Sequence, residues 1–355
     1  MRAIVFDGDG HVAVEDRPEP RIVAADDAIV RVTTAGICGS DLHIVEGRDT
    51  GVRAGTIMGH ELVGVVEELG SEHSWLTVGA RVVAPFSVNC GRCFYCRRSL
   101  PARCASSMCF GVVDEGGHGL EGAQAQYLRV PMAPSTLMKL PDRRADGQPF
   151  RDEDAIFLGD VLSTAYSATE ATGIQFGDVV AVIGCGPVGL LAILSALLLG
   201  AREVVAVDVV DYRLEKAHRL GATPVHRHSG QLVPLLAQMT EGRGADAVVE
   251  AVGNPAALDM AIRAARPGAV VSIAGYHTEE QYPLPIKVAY QKNLTIRTGR
   301  CSARTYMPKL LPLVVEGKVP LHELVSHVLL LEDGVRGYEI FARRDDAAIK
   351  VLLKP

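Results

Sequence analysis

The sequence predicts an α/β plus β protein, in which a doubly wound parallel sheet accompanies a β-rich region. Residues 1–150 carry short, alternating apolar runs separated by Gly, Pro and Asp, a pattern typical of antiparallel strands with irregular loops. From about residue 160 to 300, short β-branched runs alternate with Ala- and Leu-rich helical stretches, which is typical of a parallel sheet covered by helices. The length of 355 residues fits two domains.

Charge and cysteine usage narrow the class of protein. The chain has 36 Lys and Arg against 42 Asp and Glu, a net charge of −6 with no wide basic stripe, which disfavours a nucleic-acid partner. The opening MRAIVFDGDGH has an apolar run of only four residues, too short for a secretory signal, so we expect a cytoplasmic protein. Four of the eight cysteines lie within residues 90–104, which in a reducing compartment indicates metal binding rather than disulfides.

One segment has the length of a membrane span. Residues 179–201 are 23 uncharged residues, but Gly184, Gly186, Pro187 and Gly189 interrupt them. The first part, VVAVIG, is β-branched, and the last, LLAILSALLLG, is rich in Leu and Ala. We therefore predict a buried strand, a glycine turn and a buried helix, and no contact with a membrane.

The glycine turn predicts a dinucleotide site, because it follows a predicted strand and opens a predicted helix. Gly184 allows a tight turn, Gly186 lets the backbone approach a pyrophosphate, and Gly189 lets the helix pack closely on the strand. The N-terminus of that helix offers N–H groups and partial positive charge to phosphates.

Asp208 ends the next predicted strand, 19 residues after Gly189. An acidic side chain there accepts the ribose hydroxyls of NAD and repels the additional phosphate of NADP. The alternative is that Asp208 only caps the helix that follows it. We favour NAD, and expect the nucleotide to be bound by Gly184, Gly186, Val188, Gly189, Asp208 and Arg213.

The spacing Cys90-x2-Cys93-x2-Cys96-x7-Cys104 predicts a structural zinc site. Four thiolates in one short segment complete the tetrahedral coordination of zinc and leave no position for a substrate. A nucleic-acid-binding zinc knuckle is the alternative, and the net charge of −6 disfavours it.

Three further segments carry groups that bind metals or protons: GICGSDLH, GHE and LGDVLSTAY. Their spacing alone does not bring them together. Each also has a structural interpretation, for example Ser40 as a helix N-cap and His43 as a helix-surface residue.

Taken in order with the four-cysteine segment, the glycine turn, Asp208 and a closing GK…H…IKVLL pattern, these segments resemble the zinc-dependent medium-chain alcohol dehydrogenase/reductase family over essentially the whole chain. The resemblance implies a Rossmann domain inserted in a catalytic domain with a chaperonin (GroES)-like β-barrel. We therefore expect a catalytic domain in residues 1–160 with a zinc lobe at 90–104, an NAD-binding domain in 161–300, and a return to the catalytic domain in 301–355.

The same resemblance implies a second, catalytic zinc site. Cys38 and His60 align with ligands, Asp160 stands where many members have a cysteine and others an aspartate, and Glu61 aligns with a direct or exchangeable ligand. Ser40 aligns with the hydroxyl that touches the substrate oxygen, His43 with a proton-relay imidazole, and Thr164 with a threonine beside the nicotinamide. Zinc with an open position acts as a Lewis acid. An aspartate ligand in place of a thiolate makes a harder ligand set, which we expect to leave a more electrophilic zinc.

Gly39 departs from the family pattern, because some members have an arginine there beside the pyrophosphate. Lys350 and Arg300 are the two candidates to replace that arginine.

The sequence thus predicts an NAD-dependent zinc alcohol dehydrogenase with two zinc ions per chain, acting on a primary, secondary or polyol alcohol or its carbonyl. A formaldehyde dehydrogenase or aldehyde dismutase is an alternative, because it shares an Asp zinc ligand and a segment similar to GLEGAQAQYLRVP. A catalytically silent, nucleotide-sensing zinc scaffold is another. The family forms dimers and tetramers, and the chain length favours a homotetramer.

Overall fold

A computed structural model describes all residues, 1–355, in seventeen strands and twelve α-helices. The strands, in chain order, are β1 Arg2–Phe6, β2 Val12–Asp16, β3 Ala28–Ile37, β4 Leu62–Leu69, β5 Arg81–Ala84, β6 Val112–Val113, β7 Gly119–Leu120, β8 Tyr127–Val130, β9 Met138–Lys139, β10 Val179–Ile183, β11 Glu203–Asp208, β12 Thr223–His226, β13 Ala245–Glu250, β14 Ala265–Ile273, β15 Thr295–Thr298, β16 Val325–Leu330 and β17 Lys350–Lys354.

Most of the helices are short. They are α1 Gly39–Val45, α2 Phe94–Arg97, α3 Ala133–Thr136, α4 Asp152–Ala155, α5 Val161–Glu170, α6 Pro187–Leu198, α7 Asp211–Arg219, α8 Leu232–Met239, α9 Pro255–Ala264, α10 Ile286–Gln291, α11 Ala303–Val315 and α12 Gly334–Arg343. Five 3₁₀ turns are Pro101–Arg103, Ile156–Gly159, Arg227–Ser229, Leu321–Leu324 and Leu331–Asp333.

The chain forms two compact units. The first contains Met1–Ser163 and Ser302–Pro355, and the second is the continuous segment Thr164–Cys301. The division falls within α5. Because β17 pairs antiparallel with β3, the end of the chain lies in the sheet that its beginning forms.

The first unit is built on a seven-stranded sheet of order β16-β17-β3-β4-β5-β9, with β8 also paired to β3. All these pairs are antiparallel except β16 with β17. The alternating apolar residues predicted for residues 1–150 fill its core, including Ile4, Val30, Leu62, Phe110 and Leu128. The antiparallel β texture predicted for residues 1–150 is therefore observed.

The second unit is a parallel six-stranded sheet of order β12-β11-β10-β13-β14-β15, alternating along the chain with α6 to α10. The order reverses beside β10, whose two neighbours are β11 and β13. In doubly wound sheets, ligands bind at the carboxyl ends of the strands at such a reversal.

The membrane-like segment is the predicted strand, turn and helix. Val179–Ile183 is the fully buried central strand β10, and Pro187–Leu198 is α6. Among the helices of this chain, none combines the length and the apolar character that crossing a membrane requires.

Candidate zinc and dinucleotide sites

Sheet register brings the predicted catalytic ligands to one end of the first unit's sheet. Ala35 of β3 pairs with Leu62 of β4, and Leu62 pairs with Ala84 of β5. Cys38 therefore follows the end of β3 at the same edge where His60 and Glu61 precede β4. Residues that lie 22 or more positions apart in the chain become neighbours through strand pairing alone.

Gly159 allows the backbone that carries Asp160 to approach the same edge of the sheet. The Gly159 carbonyl accepts a hydrogen bond from the N–H of Phe86, two residues beyond β5. A Cβ atom on Gly159 would lie 2.2 Å from the carbonyl oxygen of Ala84, so only glycine allows the 3₁₀ turn to approach β5 this closely. The close approach positions Asp160 beside the other ligands.

The four side chains form a compact donor set. One ligand atom each from Cys38, His60, Glu61 and Asp160 lies within 4.8 Å of all the others. His60 Nε2 is 3.3 Å from Asp160 Oδ2, and Cys38 Sγ is 3.8 Å from the same oxygen. Sequence spacing could not establish this grouping, which only the family resemblance implied.

Glu61 is fully buried and paired with Lys350. Lys350 Nζ donates to Glu61 Oε2 and, at 3.2 Å, to the carbonyl of Ile37. Burial opposes the charge on Lys350, but the Glu61 carboxylate raises the pKa of Lys350 above its usual value, so the amine remains protonated. A Cβ on Gly36 would lie 2.1 Å from Glu61 Oε2, so β3 needs glycine beside this pair.

This pairing corrects one expectation. Lys350 was one of two candidates to replace the missing pyrophosphate arginine, yet it is 1% exposed and committed to Glu61. An ammonium group held by a buried carboxylate is not available to a phosphate. Arg300, the other candidate, is exposed.

His60 is oriented by Asp41. His60 Nδ1 is 3.2 Å from Asp41 Oδ1, and the other oxygen, Asp41 Oδ2, accepts the N–H of Cys38 at 2.9 Å. Burial lowers the pKa of His60, but the charge of Asp41 and the hydrogen bond to Asp160 outweigh burial and raise that pKa well above 6.5. A carboxylate on one imidazole nitrogen leaves the other nitrogen for a metal.

The site fits zinc on two grounds. Glu61 Oε1 is buried without a hydrogen-bond partner, which is costly unless a cation satisfies it. The donor set combines a thiol, an imidazole and carboxylates, a mixture that suits zinc better than magnesium or calcium.

The predicted catalytic residues lie on two helices. Ser40 and His43 belong to α1, and Ser40 Oγ is 3.5 Å from His60 Nε2. The alternative role of Ser40 as an N-cap is wrong, because Cys38 is the N-cap and Asp41 accepts its N–H. Thr164 lies on α5 at the start of the second unit.

The four-cysteine segment forms a second donor set. The sulfur atoms of Cys90, Cys93, Cys96 and Cys104 all lie within 4.8 Å of one another. N–H groups of Cys96 and Ala105 lower the pKa of the Cys93 thiol to about 6, which favours the thiolate that a metal requires. The helical turn α2 begins directly after Cys93, and the 3₁₀ turn Pro101–Arg103 ends directly before Cys104.

The glycine turn of the second unit has the geometry expected of a dinucleotide site. Gly184 has φ +99°, a conformation that favours glycine. A Cβ on Gly189 would lie 1.8 Å from the Gly184 carbonyl oxygen, whereas the space around Gly186 is open to 3.9 Å. Gly186 is the N-cap of α6, and Pro187 and Val188 begin that helix.

Asp208 and Arg213 lie beside this turn. Asp208 Oδ2 accepts the N–H of Cys185 at 2.7 Å, and Oδ1 accepts the N–H groups of Val209 and Val210. Arg213 is the group nearest to a Cβ built on Gly186. Asp208 is not the N-cap of α7, since Val210 holds that position.

Sequence reasoning missed Gln124 and Tyr338 near the first donor set, and it assigned Lys350 to a phosphate rather than to Glu61. A lone charge in the apolar run AIKVLL marks Lys350 as a residue that needs a buried partner. Nothing in the sequence links Gln124 to Tyr338, because 214 positions separate them.

One unit with a dinucleotide-type glycine turn on a parallel sheet, and another with two thiol-containing donor sets, define the class of a zinc-binding dehydrogenase. Residues 24–142 match the alcohol dehydrogenase GroES-like domain, and residues 187–316 match the zinc-binding dehydrogenase domain. The chain belongs to the zinc-dependent medium-chain alcohol dehydrogenase family. The predicted fold class, family and kind of enzyme, a zinc-dependent alcohol dehydrogenase, are confirmed.

Three relatives illustrate the similarity. An uncharacterized zinc-type alcohol dehydrogenase-like protein AdhB of Bacillus subtilis is 36% identical over 100% of both chains. A glutathione-independent formaldehyde dehydrogenase of the same species is 30% identical, over 100% of this chain and 97% of that protein. The structure of alcohol dehydrogenase TADH from Thermus sp. ATN1 superposes with a TM-score of 0.92 at 42% identity, covering 100% of this chain and 99% of the other.

Proposed function

We propose that this enzyme transfers a hydride between an alcohol, or its carbonyl, and NAD(H), using one catalytic and one structural zinc per chain. The first unit holds both metals and the second holds the nucleotide. The observation that carries the proposal is the compact donor set of Cys38, His60, Glu61 and Asp160, in which the buried Glu61 Oε1 lacks a hydrogen-bond partner. Zinc bound there supplies a Lewis acid to the substrate oxygen.

The chain's own groups orient the substrate and move the proton. Ser40, 3.5 Å from His60 Nε2, is assigned to hydrogen-bond the substrate oxygen, and His43, one turn along α1, to pass the proton toward solvent. Imidazole suits this relay because it titrates near neutrality. Thr164 is assigned to the nicotinamide side. His43→Gln should change the pH–rate profile, and an unchanged profile would refute the relay.

Metal content and activity test the function together. Wild-type protein should contain two zinc ions per chain by mass spectrometry of the metals and should reduce NAD⁺ with members of a panel of primary, secondary and polyol alcohols. Cys38→Ser should lose one zinc and the activity while the fold persists. Cys93→Ser is the matched control, since it should lose the other zinc. A wild type with one zinc and no turnover would instead support a silent scaffold.

The choice of NAD rests on Asp208. Its carboxylate ends β11 beside the glycine turn, where it would repel a 2′-phosphate. Arg213 would provide positive charge for the nucleotide near Gly186, which helps to offset the absence of an arginine at Gly39. We expect a lower KM for NAD⁺ than for NADP⁺. The reverse order would show that Arg213 rather than Asp208 decides the preference.

A second candidate is the oxidation or dismutation of formaldehyde and other aldehydes. It is favoured by the relative named glutathione-independent formaldehyde dehydrogenase and by Asp160 in the donor set. Formaldehyde supplied with NAD⁺ and no thiol distinguishes the two functions. Formation of formate together with NADH indicates the dehydrogenase. Formation of formate and methanol without net NADH indicates the dismutase. If neither formate nor methanol forms, the assignment as an alcohol dehydrogenase stands.

The remaining proposals concern assembly and compartment. We favour a homotetramer over a dimer, to be tested by light scattering during size-exclusion chromatography. A cytoplasmic location agrees with the chemistry, because the thiols of two metal sites must remain reduced to bind zinc.

A further inference from the structure

A chain of buried hydrogen bonds leads from the C-terminal segment to the predicted metal ligand His60. Tyr338 of α12 donates its hydroxyl to Gln124 Oε1 at 2.8 Å. Gln124 Nε2 donates to the carbonyl of Gly36 at 3.0 Å and to Asp41 Oδ2 at 3.3 Å. Asp41 Oδ1 in turn lies 3.2 Å from His60 Nδ1.

The donor and acceptor chemistry of these groups fixes the direction of every hydrogen bond in the series. The Gly36 carbonyl and the Asp41 carboxylate only accept, so the amide nitrogen of Gln124 must face them. The amide oxygen then accepts from Tyr338. Burial, followed by the charge of Asp41, raises the pKa of Tyr338 well above 10, so its hydroxyl keeps the proton it donates. Asp41 accepts from His60 Nδ1, so Nε2, which lies 3.3 Å from Asp160 Oδ2, is the nitrogen that can bind a metal once it gives up its proton.

Packing ties Gln124 to the backbone that carries His60. Gln124 is fully buried and Tyr338 is 4% exposed. A Cβ on Gly59 would lie 2.5 Å from Gln124 Cγ, so the side chain of Gln124 occupies the space over the residue preceding His60. Gly59 also has φ +89°, which favours glycine. Gln124 therefore contacts both the carboxylate partner of His60 and its adjacent backbone.

We propose that Gln124, held by Tyr338, is a positioning residue that fixes Asp41 and thereby the tautomer and ring orientation of His60 for metal binding. This inference rests on the proposed metal site of Cys38, His60 and Asp160. Partners one bond removed from a metal ligand commonly change metal affinity by about 10–100-fold when they are removed. Gln124 is one hydrogen bond further from His60 than Asp41 is, and Tyr338 is two. We therefore expect their removal to change metal affinity by an amount near the lower end of that range.

The test measures zinc release from the purified enzyme to a chromophoric chelator, with the four-cysteine site of the same molecule as the internal reference. Tyr338→Phe and Gln124→Leu should each speed zinc release from the His60 site by about tenfold, and should leave zinc release from the four-cysteine site unchanged. Gln124→Glu, which places an acceptor against two acceptors, should release this zinc fastest. Thr56→Val is the matched control, because it removes a fully buried hydroxyl that bonds only the Arg53 carbonyl.

A double variant separates positioning from general destabilisation. If Tyr338 acts through Gln124, Tyr338→Phe should have no further effect on zinc release in the Gln124→Leu background. The visible spectrum of the cobalt-substituted enzyme should change in both single variants, because the geometry of the His60 ligand changes. If Gln124→Leu does not fold, the comparison of Tyr338→Phe with Thr56→Val decides.

Three outcomes would overturn the inference: additive effects in the double variant, equal acceleration at both zinc sites, or release unchanged from wild type. A wild-type protein with a single zinc that persists in Cys38→Ser would instead refute the proposed metal site itself. The failure of the positioning role and the failure of the proposed function are thus distinguishable.

Discussion

Asp160 gives the candidate catalytic site its chemical character. With Cys38 and His60 it offers one sulfur, one nitrogen and one oxygen donor, and its Oδ2 is the atom that both other residues approach. An oxygen ligand donates less electron density to zinc than a thiolate does, so we expect a zinc bound here to be a stronger Lewis acid. This property belongs to one residue and can be changed by one substitution.

Asp160→Cys should lower kcat by about tenfold, equal to about 1.4 kcal/mol in the barrier. It should also raise the affinity for cadmium relative to zinc, because cadmium is softer. Steady-state kinetics and metal competition on the purified variant measure both effects. Asp160→Asn, which keeps the size and removes the charge, is the control. Unchanged turnover and metal preference in Asp160→Cys would contradict the hypothesis.

The raised pKa of His60 predicts how zinc binding at this site depends on pH. Because Asp41 and Asp160 raise its pKa well above 6.5 in the metal-free protein, the ring holds its proton more strongly than a free imidazole does, and zinc must displace that proton. A raised pKa means that proton competition persists to higher pH, so loss of the His60 proton should by itself contribute about a tenfold rise in zinc affinity per pH unit while His60 is still protonated.

Zinc titrations of the demetallated protein across neutral pH measure this slope. Asp41→Asn removes the largest influence that raises the pKa of His60, and should therefore flatten the slope near neutrality. The difference between the two curves measures how much the Asp41 charge on His60 contributes to the pH dependence. A zinc affinity that is independent of pH in wild type would contradict the argument.

At the scale of elements, two glycines of the turn between β10 and α6 have different roles, one in folding and the other in binding. Gly189 is needed for packing, because its Cβ would lie 1.8 Å from the Gly184 carbonyl oxygen. Gly186 has no such neighbour within 3.9 Å, so its lack of a side chain matters only to a ligand.

Gly189→Ala should therefore destabilise the protein by about 1–3 kcal/mol through overpacking. Gly186→Ala should leave the denaturation midpoint unchanged and weaken binding of the nucleotide. Thermal denaturation and NADH titration, monitored by fluorescence, test both members of this matched pair. Equal loss of stability in the two variants would show that the turn has no separate binding position.

The elements were largely predictable from sequence, and the grouping of the site was predictable only in part. The spacing of the apolar residues and the positions of the glycines predicted β10, the turn and α6, because each of these elements is formed by residues that are neighbours in the sequence. The short spacing of Cys90 to Cys104 likewise predicted one donor set. By contrast, Cys38, His60 and Asp160 meet through strand register and a close approach at Gly159, which no local pattern encodes. Gln124 and Lys350 depend on contacts across 214 and 289 positions.

At the scale of the whole molecule, the two units differ in chain continuity. Thr164–Cys301 is one segment with its own six-stranded sheet and core, whereas the first unit needs β16 and β17 to complete its seven-stranded sheet. We expect residues 164–301 expressed alone to fold cooperatively and bind NADH, and residues 1–163 alone to remain unfolded. Circular dichroism during thermal denaturation distinguishes the two fragments. Cooperative unfolding of residues 1–163 would contradict this view.

Lys350 and Tyr338 also impose an order on biosynthesis. The ribosome makes Tyr338 and Lys350 after the whole second unit, 178 and 190 residues beyond Asp160, which takes roughly 10–40 s at common rates of elongation. Until then Glu61 has no ammonium partner and Gln124 has no hydroxyl donor. The four-cysteine segment has all its ligands by residue 104 and can capture zinc on the nascent chain. We therefore expect the proposed catalytic zinc to bind later than the proposed structural one, so that cells short of zinc accumulate a folded but inactive enzyme with one of its two zinc ions.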